Sequence, residues 1–91
     1  MNIAEYNDLV DKLYRGHDFI FLYKEQQYFL EREDECHIIY KVSSDMTKAK
    51  LIKKIEGEDV IVRVNSFLNS VLFDKKSFNQ LYSNIDIIDI E

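Results

Sequence analysis

Ninety-one residues with a net charge of -5, two glycines and no proline describe a single domain spanning residues 1–91, not a linker or a disordered tail. A chain of this size buries ~60% or more of its unfolded surface and can fold without staples. The acidic balance argues against non-specific attachment to nucleic acid or anionic membranes, and it favours a protein partner with a basic surface.

The first predicted element is a helix. Asn2 stands where a cap is wanted, with Glu5 three residues on, and Ile3, Tyr6, Leu9, Val10, Leu13 and Tyr14 recur on one face. Gly16 follows the last turn, a position that favours left-handed backbone. Three strand-like runs come next: Phe19–Tyr23, Gln27–Arg32 and Cys36–Val42. Short polar gaps between them suggest an antiparallel meander. The gaps lack Asn-Gly and Asp-Gly, so loops longer than two residues are expected.

Residues 46–55 admit two readings. Ser43-Ser44-Asp45 would cap a helix with Leu51, Ile52 and Ile55 on one side; alternation of Ala49, Leu51, Lys53 and Ile55 would make a strand. The helix is preferred. Val60–Val64 reads as a strand from its β-branching. Asn65-Ser66 would then cap a helix carrying Phe67, Leu68, Val71 and Leu72, and Asp74 another carrying Phe78, Leu81 and Tyr82. The tail 85–90 is expected to dock as an extended strand. The fold class is α+β: an N-terminal helix, an antiparallel three- to four-stranded meander and short C-terminal helices.

The single cysteine, Cys36, suits a reducing, cytoplasmic compartment. The N-terminal residues lack the basic-then-apolar pattern of a signal peptide, and no run reaches the ~18 apolar residues of a membrane helix.

Chemistry-bearing residues are sparse. Cys36 with His17 would be the one nucleophile and base pair, but no glycine-rich turn presents the thiol. His37 neighbours Cys36 on the opposite strand face, and no Cys-x-x-Cys pair exists, so neither a metal site nor a cofactor is expected. The Lys48, Lys50, Lys53, Lys54 patch is followed at once by Glu56, Glu58 and Asp59 and reads as a solvated face with local ion pairs, not a nucleic-acid site.

Charge distribution is more telling. Residues 1–45 carry ten Asp/Glu against five Lys/Arg, whereas residues 46–91 carry seven of each. The excess peaks at Glu31-Arg32-Glu33-Asp34-Glu35, between two strand-like runs. Glu31, Glu33, Asp34 and Glu35 are therefore the candidate partner-binding carboxylates. Tyr23, Tyr28 and Tyr40 on the meander are the candidate anchors around them, because tyrosine offers large contact area at low entropic cost.

In length, element order and acidity the chain resembles the small acidic anti-CRISPR inhibitors encoded by prophages of low-GC Gram-positive bacteria. The stretches Val64–Ser70 and Phe73–Phe78 are similar to the C-terminal part of small proteins common on mobile elements of such bacteria. The resemblance implies an inhibitor whose acidic surface imitates nucleic acid and occupies the DNA-binding cleft of an RNA-guided nuclease. The expected function is thus non-enzymatic binding of a protein partner. The alternative is a structural or assembly module, such as a homodimer, with a small Cys/His enzyme third.

Overall fold

A computed structural model describes all residues, Met1–Glu91. Helix α1 spans Ile3–Tyr14. Its expected capping box is complete: the Glu5 N–H donates to Asn2 Oδ1 at 2.8 Å and the Asn2 N–H to Glu5 Oε1 at 3.0 Å. Gly16 ends it at φ +88°, a left-handed conformation that favours glycine; a Cβ there would only displace the mobile end of the exposed Arg32 side chain.

The chain then builds β1 (Phe19–Tyr23), β2 (Gln26–Arg32), β3 (Cys36–Val42) and β4 (Ala49–Glu56), followed by α2 (Val60–Asn69). A small hairpin, β5 (Val71–Phe73) and β6 (Lys76–Ser77), leads into the short α3 (Phe78–Leu81) and a 3-10 turn at Tyr82–Asn84; β7 (Ile85–Ile90) closes the chain. The main sheet has five strands in the order β4-β3-β2-β1-β7, all antiparallel. The α+β class and the four-stranded meander agree with expectation. The tail docks as a strand beside β1 and extends the sheet to five.

All three helices pack on one sheet face. The pleat places Phe19, Leu30 and Ile39 side by side there, with Phe21, Tyr23, Tyr28, Ile55 and Ile85. Leu9 and Leu13 of α1, Val64, Phe67 and Leu68 of α2, and Phe78 and Leu81 of α3 complete the core. Phe19 meets Phe67 edge-on at 6.2 Å and Phe21 meets Phe78 edge-on at 5.5 Å, the favoured aromatic geometry.

Four expectations are corrected. Residues 46–55 form no helix: Ala49–Glu56 is strand β4, paired with β3. A helix there would have to bury a whole Leu51–Ile52–Ile55 stripe. As an edge strand, β4 buries Ile55 alone and leaves its lysines in water. Val60–Val64 is not a strand but the start of α2, with the Asp59 carboxylate accepting from the Ile61 N–H at 2.8 Å. Val60, Val64, Phe67 and Leu68 form one stripe at helical spacing, running straight through Asn65-Ser66. Burying it outweighs the small strand preference of β-branched residues. Asn65 accepts from the Tyr14 hydroxyl at 2.6 Å, and Ser66 lies inside the helix. Asp74 likewise caps nothing; Ser77 caps α3 through Gln80.

The β1–β2 connection has two residues, fewer than expected. Lys24 and Glu25 adopt φ of 49° and 63°, and Asp74 and Lys75 of the β5–β6 turn adopt 49° and 61°. Both turns follow the type I′ pattern without glycine or asparagine. They are tied together: Asp74 takes the Tyr23 hydroxyl at 2.6 Å and Lys24 Nζ at 2.7 Å. Left-handed backbone costs a non-glycine residue about 1 kcal/mol. Glu25→Gly is therefore expected to stabilise the fold by up to about 1 kcal/mol, read as a higher urea midpoint. A lower midpoint would contradict the assignment of this turn.

Candidate functional site

The acidic run closes the β2–β3 turn. Its geometry is held by the Glu33 N–H donating to the Cys36 carbonyl at 2.9 Å. A second acidic segment, after β4, lies beside it: the Gly57 N–H donates to the Glu35 carbonyl at 3.1 Å. Together Glu33, Asp34, Glu35, Glu56 and Glu58 line an open depression of about 840 Å³, with Cys36, Lys54 and Gly57. Lys54 reaches Glu56 at 3.3 Å; Glu33, Asp34, Glu35 and Glu58 have no ion-pair partner.

The basic run does not cover this depression. Pairing of β4 with β3 sets Lys54 opposite Ile38 but Lys50 opposite Lys41, at the far end of the hairpin. Lys41, Lys48 and Lys50 line a separate groove there of about 320 Å³. Charge is thus separated along β3–β4, acid at one end and base at the other. The expected local ion pairing is present between Lys54 and Glu56, whereas Glu58 has no partner. Only the strand register shows that Glu56 and Glu58 join the 33–35 turn.

The sheet face away from the helices carries no second layer. Ile20, Phe29, Tyr40 and Leu51 stand in register across four strands, with Leu22 beside them. The first three and Leu22 are half-buried, and Leu51 is 56% exposed. Ile38 and Val42 share this face and are buried. Glu31 sits next to Ile38 towards the acidic turn, while Asp86 and Asp89 flank Leu22 and Ile20 on β7. Partial burial, then the nearby Glu33 and Asp18 carboxylates, raise the Glu31 carboxyl above its ordinary range.

Glu31 and Tyr40 therefore lie on the uncovered face, Glu31 next to the 33–35 turn and Tyr40 beyond Ile38 on β3. Tyr23 and Tyr28 fall on the helix side, because they share pleat parity with Phe21 and Leu30. Tyr28 lies 4.4 Å and Tyr23 5.4 Å from the Phe73 ring, holding the β5–β6 hairpin to the sheet; neither is available as an anchor.

Behind the depression lies a buried cation that sequence reading missed. Arg63 of α2 is 1% exposed. Its Nε donates to His37 Nδ1 at 3.1 Å, and its Nη1 donates to the Gly57 carbonyl. No carboxylate lies within ion-pair distance. A guanidinium can only donate, so His37 Nδ1 must be the acceptor and Nε2 carries the proton, buried without a partner. Burial, then the Arg63 and Arg32 charges, pushes the His37 imidazole down to about 4. The one sequence signal was an arginine on the apolar stripe of α2, concealed because that segment read as a strand.

Cys36 and His37 point to opposite faces, and His17 lies at the end of α1 with Nδ1 3.2 Å from the Glu91 carbonyl. Cys36 is buried with Sγ towards Glu33, and burial followed by that carboxylate raises its thiol above the ordinary value, which suppresses the thiolate. No three His, Cys, Asp or Glu side chains converge in metal-binding geometry, and no helix is long and apolar enough to cross a membrane. No protein-family model matches the sequence, and comparisons with curated proteins and with solved structures give no match.

Removing Arg63 strands the His37 and Gly57 acceptors and opens a cavity. Arg63→Ala is expected to cost roughly 3 kcal/mol in urea unfolding, with Arg63→Lys recovering only part, since an ammonium cannot span both acceptors in the same geometry. An unchanged midpoint would refute the clamp. His37 adds a pH dependence. Its unfolded pKa of 6.5 exceeds its folded value of about 4, so between them the unfolded chain binds the extra proton. Stability is full above pH 6.5 and falls as pH drops towards 4. The urea midpoint should decline from pH 7 to pH 5, and His37→Gln should remove that decline; an equal decline in the variant would contradict the assignment.

Proposed function

We propose that this chain works by binding a basic protein surface, without chemistry of its own. The observation that carries the reading is the placement of unpaired charge. Glu33, Asp34, Glu35 and Glu58 are free of ion pairs, and beyond the Glu31–Ile38 pair the same sheet carries a half-buried row containing Phe29 and Tyr40. Unpaired carboxylates keep their field in solution and speed encounter with a cationic partner. The aromatic row then supplies the area that keeps the partner bound. A partner suited to this order of events presents lysines and arginines around an apolar strip. The nucleic-acid-binding cleft of an enzyme is one such surface, and blocking it would make the chain an inhibitor.

The test is affinity capture from a bacterial lysate with the wild type, with Glu33→Gln/Asp34→Asn/Glu35→Gln/Glu58→Gln, and with Tyr40→Ala. The charge variant should lose the captured partner while keeping its far-UV circular dichroism, and wild-type capture should weaken as salt rises. Tyr40→Ala should accelerate dissociation with little change in association rate. Capture indifferent to the four carboxylates would end this reading.

A further inference from the structure

We infer that β4 is the seam of a two-fold homodimer, in which the second copy's β4 pairs antiparallel to it and joins the two sheets into one of ten strands. This goes beyond the binding surface proposed above: Glu33, Asp34 and Glu35 lie outside the seam, and Glu58 alone is shared by the two.

The ladder phase comes first. The Ser43 N–H donates to the Lys48 carbonyl at 2.9 Å and the Gly57 N–H to the Glu35 carbonyl at 3.1 Å, one at each end of the β3–β4 pair. Antiparallel alternation from those points, with the register shift at Ile39/Tyr40, makes Lys50, Lys53 and Ile55 the residues bonded to β3. Ala49, Leu51, Lys54 and Glu56 then direct their N–H and C=O groups to the free edge. All four also lie on the uncovered face.

That phase fixes the pairing. Outward residues must meet outward residues, so Ala49 faces Glu56 of the second copy and Leu51 faces its Lys54. The two-fold axis falls between Ile52 and Lys53, at the irregular point of the strand. In this register Lys50 faces Ile55, Lys53 faces Ile52, and Lys48 faces Gly57 between Glu56 and Glu58. No lysine opposes a lysine. A slip by one or two residues in either direction sets Lys50 against Lys53 or Lys54, or Lys53 against itself or Lys54, which like-charge repulsion disfavours. Lysines ordinarily keep edge strands apart; here they reject every nearby register but the one the ladder selects.

The patches at the two ends agree. Lys41, Lys48 and Lys50 have no ion-pair partner within the chain, and two-fold pairing brings that basic end beside the acidic Glu56–Glu58 end of the other copy, twice. Leu51 and Ile52, 56% and 37% exposed, are covered at the same seam.

Sedimentation equilibrium from micromolar to millimolar concentration tests this. The mass should rise from 10.9 kDa to twice that value and no further. Leu51→Pro deletes an edge-facing N–H that β3 does not use, and should give a folded monomer. Lys48→Glu/Lys50→Glu should weaken the dimer by on the order of tenfold or more, and adding Glu56→Lys/Glu58→Lys should restore it. A monomer at every concentration, growth beyond two copies, or a dimer untouched by both the proline and the charge reversal would overturn the inference.

Discussion

A guanidinium buried without a carboxylate holds the acidic end of this molecule together. Taking a cation out of water costs several kcal/mol unless its donors are met. Arg63 meets that cost with two neutral acceptors, His37 on β3 and the Gly57 carbonyl at the exit of β4. The consequence is geometric. Gly57 is drawn against the sheet and its N–H reaches Glu35, so two acidic segments far apart in sequence share one depression. The arrangement also requires a neutral imidazole, since a protonated one would set two buried cations side by side.

The rest of the surface follows from a one-sided sheet. Helices cover the face built from Phe19, Phe21, Leu30 and Ile39, while the alternate residues Ile20, Phe29 and Tyr40 stay half-exposed. An apolar row without a second layer is a common mark of an interaction surface. The antiparallel β3–β4 register adds direction, placing acid at one end and Lys41, Lys48 and Lys50 at the other. A chain with a neutral second half therefore presents a strongly polarised edge.

Local signals served well where one element decides its own structure. Asn2 with Glu5, the periodic apolar face of α1 and the breaker at Gly16 made the first helix readable, and continuous aromatic and β-branched runs made β1 to β3 readable. Reading failed where tertiary context chose. β4 is an edge strand that buries one side chain, so alternation is absent from its burial and its sequence suits a helix equally. Val60–Val64 favours a strand locally, but its stripe continues to Phe67 and Leu68 and only a helix buries all of it. The 33–35 turn was legible as an acidic patch because it lies between two clear strands. Its partner segment Glu56–Glu58 was not, because proximity depended on β4 being a strand. Pleat parity, invisible without exact strand limits, separated Tyr40 from Tyr23 and Tyr28.

The claim that Arg63 unites the acidic surface is tested most directly by amide hydrogen exchange at Gly57 in the wild type and in Arg63→Gln. The account predicts that the Gly57 amide, bonded to Glu35, loses its protection in the variant while the amides of Leu30 and Ile39 at the sheet centre remain slow. Gly57 protection that survives the substitution would show that the two acidic segments are held together without the buried cation.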